Sequence, residues 1–321
     1  MFFKNMMKWL IVMTILISLS SNSWFILWLM MEMNLLMFIP ILNFKKMNNS
    51  NLMVSYFVIQ SFSSTIFFFS SLNFLMFNME IFKLIMNMSM LIKLASIPFH
   101  YWLTSLSEMI DFSSLWIILT LQKFIPFIVL SKFYTQIIIL FAALSSIIGS
   151  ILALNSKTVK KILIFSSISH QGWVISLILM KSNFWLTYML IYSSLIFKIS
   201  SSFEKMNSVN ISSMFFFKKK YSWNMAIISL MLSLGGMPPF LGFFIKLSSI
   251  MILIDNLNMI IIILIVSSMI NIYFYLRILT PLLFINQYSF KNYFKKNLLN
   301  KNFILNINLI ITIFLLNLMI L

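Results

Sequence analysis

The 321-residue chain contains no cysteine. Disulfides, thiolate ligation of iron–sulfur clusters and thiol catalysis are therefore excluded within it. Charge is scarce, at 9% of residues, and acids are scarcer: six Asp and Glu stand against 23 Lys and Arg, for a net charge of +17. Arg277 is the single arginine, and the two histidines, His100 and His170, are too few for a histidine metal cage. Neither a G-x-G-x-x-G turn nor a Walker-type loop occurs, so the chain has no recognisable means of cradling a nucleotide. The ten-residue alternating pattern of an outer-membrane barrel is missing as well.

What fills the space is apolar: 61% of residues are hydrophobic, and several runs exceed the roughly 18 residues that mark a spanning helix. The expected fold is an all-α polytopic membrane protein of about eleven transmembrane helices. The apolar segments cover 5–20, 23–43, 51–78, 81–103, 112–131, 135–154, 160–180, 183–203, 223–254, 257–283 and 302–321. Threading these spans from the N-terminus puts Lys45, Lys46, Lys160, Lys161, the run Lys218, Lys219, Lys220 and most other loop lysines on one side. Lys83, Lys132 and Lys181 fall on the other. Such asymmetry is the positive-inside bias, and it places the N-terminus on the negatively charged, matrix-like or cytoplasmic face. It also accounts for the net charge without a nucleic-acid partner. The opening MFFKNMMKWLIVMTILISLSS is similar to a signal peptide. Removing it would reverse the charge logic of the following loops, so it is expected to remain as the first helix. Lys, Asn, Ile, Phe and Met are abundant where Arg is rare, the bias that an AT-rich organellar gene produces.

Four ionisable residues lie deep within these segments: Glu32, Lys93, Lys123 and Lys246. Lys93 stands about ten residues from either end of its segment, roughly 15 Å of helix, too far for its stem to snorkel to the interface. A charge at that depth costs on the order of 3 kcal/mol or more, and such residues mark pathways or paired sites. Lys198, about one turn from the basic-side end of its segment, is within snorkelling reach. Glu108 and Asp111 fall in a short loop and are expected to be solvated.

All six prolines lie in or at the edge of apolar segments. Each removes a backbone donor and frees the carbonyl four residues earlier. Pro98 frees that of Leu94, beside Lys93, and Pro126 frees that of Gln122, beside Lys123. Pro238 and Pro239, following Gly235 and Gly236, should break the ninth helix. Freed carbonyls at membrane depth are tolerated where they face protein or a wet cavity.

Helical spacing puts Ser89, Lys93, Ser96 and His100 on one face, and Ser113, Trp116, Thr120 and Lys123 on another. Ser166, His170 and Trp173 share a face in the seventh segment, as do Gly242, Lys246 and Ser249 in the ninth. Glu32 is the one acid expected to be centrally buried. Desolvation disfavours a lysine's charge and a neighbouring carboxylate favours it, so a series of such groups bridged by hydroxyls and water can pass protons. The same residues admit a plainer reading, a static buried Glu32–Lys93 pair that fixes helix packing, with His170 a hydrogen-bonded packing histidine.

The first ten segments divide into two five-helix units, 1–131 and 135–283, followed by a basic loop and C-terminal helix over 284–321. Five being odd, the second unit would be inverted in the membrane. The fourth helix of each is proline-interrupted and lysine-bearing, with Lys93 in one and Lys246 in the other; the second carries Glu32 in one and His170 in the other.

The strings WLMMEMNLLMFIPIL, LIKLASIPFHYW, LTLQKFIP, FSSISHQGWV and LSLGGMPPFLGFFIKL, ordered between residues 24 and 247, together resemble the antiporter-like membrane subunits of respiratory complex I (NADH:ubiquinone oxidoreductase) in their shortened, animal-type form. The resemblance implies a proton-translocating subunit of the mitochondrial inner membrane, related to cation/proton antiporters and working within an NADH:ubiquinone reductase. Its relay would comprise Glu32, Lys93, Lys123, Lys246 and His170. No cofactor or metal is expected in this chain; NADH, FMN, iron–sulfur clusters and ubiquinone would belong to the assembled complex. Expected partners are the other membrane-arm subunits and membrane lipids, cardiolipin included. After PFHYW the chain departs from the family pattern with Leu103-Thr104-Ser105, which leaves Glu108 without a family role. A stand-alone antiporter and a structural membrane scaffold are the alternatives.

Overall fold

The computed structural model describes residues 2–42, 50–107, 110–206, 210, 221–254 and 258–293. The expected terminal helix 302–321, Glu108 and the lysines of the loops at 43–49 and 211–220 lie outside the described residues. The described chain is helical: α1 (Phe2–Ser20), α2 (Trp24–Leu42), α3 (Ser50–Phe77), α4 (Glu80–Leu94), α5 (Tyr101–Leu106), α6 (Phe112–Leu119), α7 (Leu121–Phe133), α8 (Ile138–Asn155), α9 (Val159–Leu179), α10 (Phe184–Met206), α11 (Tyr221–Gly235), α12 (Leu241–Leu253) and α13 (Asn258–Tyr293). Strands are absent among the described residues apart from an isolated bridge between Thr158 and Asn210. Seven of the helical stretches are long and apolar enough to cross a membrane, with α6 and α7 taken as one. The protein is an all-helical integral membrane protein.

The serines, which a lipid-facing helix would otherwise leave wanting, bond back to their own helix. Ser89 donates to Met86, Ser145 to Ala142, Ser166 to Leu163 and Ser249 to Lys246, each three residues earlier. With polarity satisfied locally, helices pack through small residues. Helix α9 is at the centre: 89% of its membrane window is buried, against 22% for α1. It lies closest to α8, where a Cβ added at Gly172 would come within 2.7 Å of the Ala142 carbonyl and one at Gly149 within 3.1 Å of the Ser169 amide. Around this centre α1 packs on α2 and α7, α8 on α9 and α13, α3 on α2 and α4, and α10 on α9 and α11.

Three apolar stretches are interrupted rather than continuous. Between α4 and α5 the chain turns through Ala95 in the left-handed region (φ 56°), and the Ser96 amide closes onto the Leu91 carbonyl at 3.1 Å, a helix-ending turn. Between α11 and α12 it passes Gly236 (φ 82°) and the Pro238–Pro239 pair. The third break is at Thr120, between α6 and α7, where φ and ψ are −124° and −77°. Pro126 sits inside α7, six residues beyond this break. The Thr120 hydroxyl and amide both take the Trp116 carbonyl, at 2.7 and 3.1 Å, the kind of side-chain competition that bends helices.

Two basic residues close helix ends. The Lys132 ammonium, on α7, donates to the Ser21 carbonyl just past α1. The Arg277 guanidinium, on α13, donates to the carbonyls of Leu154, Ala153 (3.3 Å) and Ser156 (2.7 Å) at the end of α8. Cations suit these positions because helix C-termini carry unsatisfied carbonyls and partial negative charge.

Candidate functional site

Each buried lysine sits next to a helix interruption. Lys93 is in the last turn of α4, Lys123 in the first turn of α7, and Lys246 in the second turn of α12; they are 8%, 4% and 7% exposed. A break frees backbone carbonyls, and a long cationic side chain beside it finds acceptors that an unbroken helix would not offer. Lys246 uses this directly: its Nζ donates to the Gly235 carbonyl, the last of α11, at 2.7 Å. Gly236 makes room for it, since a Cβ there would come within 2.9 Å of the Lys246 Cδ. Lys123 donates instead across to α9, to Ser167 Oγ at 3.0 Å.

His170, 5% exposed on α9, lies between these two lysines and is coupled electrostatically to both. Its Nδ1 meets the Tyr188 hydroxyl of α10 at 2.7 Å, while its Nε2 is buried without a protein partner. Tyr192, also on α10, packs its ring 5.0 Å from the imidazole, and its hydroxyl lies beside Ser167 without closing a hydrogen bond. A cavity with about 10 Å³ of room for water, enough for one molecule, is lined by His170, Tyr188, Tyr192, Ser233, Gly242 and Lys246. Lys123, Ser167, Tyr192, His170, the cavity and Lys246 thus lie in order from α7 through α9 and α10 to α12, with an unclosed gap between Ser167 and the Tyr192 hydroxyl.

Lys93 lies at the end of α4, where α9 meets it one turn along from Ser167, at Gln171. Among the described residues its ammonium makes no hydrogen bond or ion pair, and Glu32 acts on it electrostatically from α2. The neighbouring Leu94 carbonyl, freed ahead of Pro98, receives the side-chain amide of Gln171 at 2.6 Å, and the Ile92 carbonyl receives Trp102 Nε1 at 3.2 Å. Glu32 accepts from the Ser64 hydroxyl of α3 and is half-buried, which corrects the expectation of a centrally buried acid. Its segment is apolar all round, so the sequence carries no face by which to orient it.

Two of the expected polar stripes are not helical faces. Because α4 ends at Leu94, Ser96 turns back to the Leu91 carbonyl at 3.0 Å and His100 sets Nδ1 3.2 Å from the Pro98 carbonyl and stacks on Tyr101, away from any face with Ser89 and Lys93. The break at Thr120 likewise separates Ser113, which accepts from Lys4, and Trp116, which donates to Ser193, from Lys123. Lys198 is exposed, and Asp111 is half-buried, at the start of α6 and electrostatically coupled to Lys160. Gln171, Tyr188, Tyr192 and Ser167 were not among the expected site residues. The one signal for Gln171 was an amide at membrane depth directly after His170.

A helical membrane protein with buried lysines at its helix breaks and a buried imidazole between two of them belongs to the class built to handle ions at membrane depth. The comparisons narrow the class. A family described as NADH:quinone oxidoreductase/Mrp antiporter, transmembrane, matches residues 21–271. NADH-ubiquinone oxidoreductase chain 2 of Rhipicephalus sanguineus is 49% identical over 318 residues, covering 97% of this chain and 99% of that one. Among solved structures, a chain of respiratory complex I from Thermus thermophilus superposes with a TM-score of 0.76 at 18% identity, over 88% of this chain and 71% of that one. A chain of the Mrp complex from Dietzia does so at 0.74 and 16% identity, over 85% and 59%. The chain belongs to the NADH:quinone oxidoreductase/Mrp antiporter membrane family.

Proposed function

We propose that the protein is a proton-translocating membrane-arm subunit of respiratory complex I. In this reading Glu32, Lys93, Lys123, His170 and Lys246 form its relay. The observation that carries it is the placing of buried His170 between two buried lysines: it senses the charges of Lys123 and Lys246 and shares a cavity with Lys246, while Lys123 is held on α9 by Ser167. Buried ionisable groups that sense one another exchange protons as a set. Conformational or electrostatic input from neighbouring subunits would alter the Glu32–Lys93 interaction and pass protons along Lys123, His170 and Lys246. Redox chemistry, with NADH, FMN, iron–sulfur clusters and ubiquinone, would take place in other subunits.

The finer architecture belongs to the same proposal: eleven spans, with residues 302–321 as the last, and two inverted five-helix repeats with proline-broken fourth members. The helix-end contacts support the repeats. Lys132, on the fifth span, reaches the end of the first, and Arg277, on the tenth, reaches the end of the sixth. Partners are other membrane-arm subunits and lipids such as cardiolipin, in the mitochondrial inner membrane with the N-terminus on the matrix side. A half-buried carboxylate at membrane depth supports a neighbouring subunit against the α2–α3 flank, since lipid alone would leave Glu32 poorly solvated.

Native-gel separation of mildly solubilised membranes, with in-gel NADH dehydrogenase staining and peptide identification, tests this. Co-migration with a large active band is expected. A small unstained species would instead favour a stand-alone cation/proton antiporter, the reading to which the likeness with the Mrp chain lends support.

A further inference from the structure

His170 is held on one side only. Its Nδ1 is 2.7 Å from the Tyr188 hydroxyl, its Nε2 has no protein partner, and the space beside the ring is the cavity it shares with Lys246. We propose that Tyr188 is a positioning residue for His170: by holding Nδ1 towards α10 it presents Nε2 to Lys246 across the shared cavity. The inference rests on the proton-relay reading above and deepens it.

Turning an imidazole over about its Cβ–Cγ bond exchanges Nδ1 with one ring carbon and Nε2 with the other. Without a tether, a histidine in a close-packed helix centre could bury both nitrogens against apolar neighbours such as Leu195 and Ile245, which also line the cavity. A hydroxyl is the suitable tether because it accepts from an Nδ1–H or donates to a bare Nδ1. One contact therefore serves either neutral tautomer and the imidazolium, and a proton can come and go at Nε2 without the ring moving. Tyr188 is 3% exposed on a helix packed against α9, so its hydroxyl is fixed relative to the ring it holds. The titratable groups facing His170 are Lys123 from α7, Tyr192 from α10 and Lys246 from α12, with Tyr275 of α13 acting on Tyr188, and none of these is bonded to Nδ1.

The test is a double-mutant comparison in the assembled complex: wild type, Y188F, H170Q and the double variant. Proton pumping per NADH oxidised and the pH profile of coupled turnover are measured, both normalised to assembled complex. Y188F keeps the ring and removes the hydroxyl. A severalfold loss of pumping with a shifted pH profile is expected, with no further loss when Y188F is added to H170Q. Wild-type pumping and pH profile in Y188F, alongside impaired H170Q, would overturn the positioning role and leave the relay intact. An equal additional loss in both backgrounds would also overturn it, since Tyr188 would then act independently of His170. Wild-type behaviour of H170Q would remove His170 from the relay, and the proposal with it. Should Y188F not assemble, Y188M takes its place in the same comparison.

Discussion

Gln171 donates its side-chain amide to the Leu94 carbonyl at 2.6 Å, tying the middle of α9 to the end of α4, one residue beyond Lys93. The carbonyl is free because α4 stops there, and Gln171 is 2% exposed, so nothing but protein can satisfy it. Leaving a buried acceptor unpaired costs about 1–3 kcal/mol. Gln171→Leu should therefore lower the thermal midpoint of the assembled complex and reduce coupled turnover, because the loosened break carries Lys93. Unchanged heat stability of isolated Q171L complex would show that the bond contributes nothing.

The second break makes a sharper prediction from two neighbouring glycines. A Cβ at Gly242 would overlap the Ser233 carbonyl, a backbone atom that cannot step aside, whereas one at Gly235 meets its nearest neighbour, a Tyr275 ring carbon, at an ordinary 3.5 Å. Gly242→Ala should push α12 away from α11 and sharply reduce assembled complex on native gels. Gly235→Ala should assemble at close to wild-type yield. Equal yields for both would mean that the α11–α12 turn is looser than its geometry indicates.

These contrasts mark how far the sequence could be read. Lys93, Lys123 and Lys246 were legible because a lysine at membrane depth is costly enough to stand out against 61% apolar background. The helical fold was legible from run length alone. The break at Thr120 was not, because a threonine taking its own i−4 carbonyl leaves no mark that distinguishes it from dozens of other hydroxyl residues. Nor could spacing find Tyr188, 18 residues from His170 on the next helix, or Gln171, whose acceptor is a backbone carbonyl 77 residues away. The stripe through Ser96 and His100 failed for a related reason: a helical projection holds only while the helix does.

Arg277 offers a test of structure without chemistry. Its guanidinium spans three carbonyls at the end of α8, a fan of donors that a lysine ammonium cannot reproduce from one point. Arg277→Lys should keep part of the cap and Arg277→Met none, with losses on the order of 1 to 3 kcal/mol for the latter. Thermal unfolding of the assembled complex should rank wild type above R277K above R277M. Indistinguishable midpoints would show that the α8 end is satisfied without Arg277.

Lys93→Met separates a relay from a scaffold. If Glu32 and Lys93 were a static buried pair, removing the lysine would strand a buried carboxylate at about 3–5 kcal/mol, and assembly would fail before turnover did. The structure points the other way. Glu32 is half-buried, it already accepts from Ser64, and no ion pair joins it to Lys93, so its local support survives the substitution. Methionine, unbranched and nearly as long, fills the space beside the α4 break without a charge. Assembled K93M complex should therefore accumulate normally while proton pumping and coupled NADH:ubiquinone turnover fall together. Normal pumping by that complex would remove Lys93 from the relay; failure to assemble would return the pair to a purely structural role.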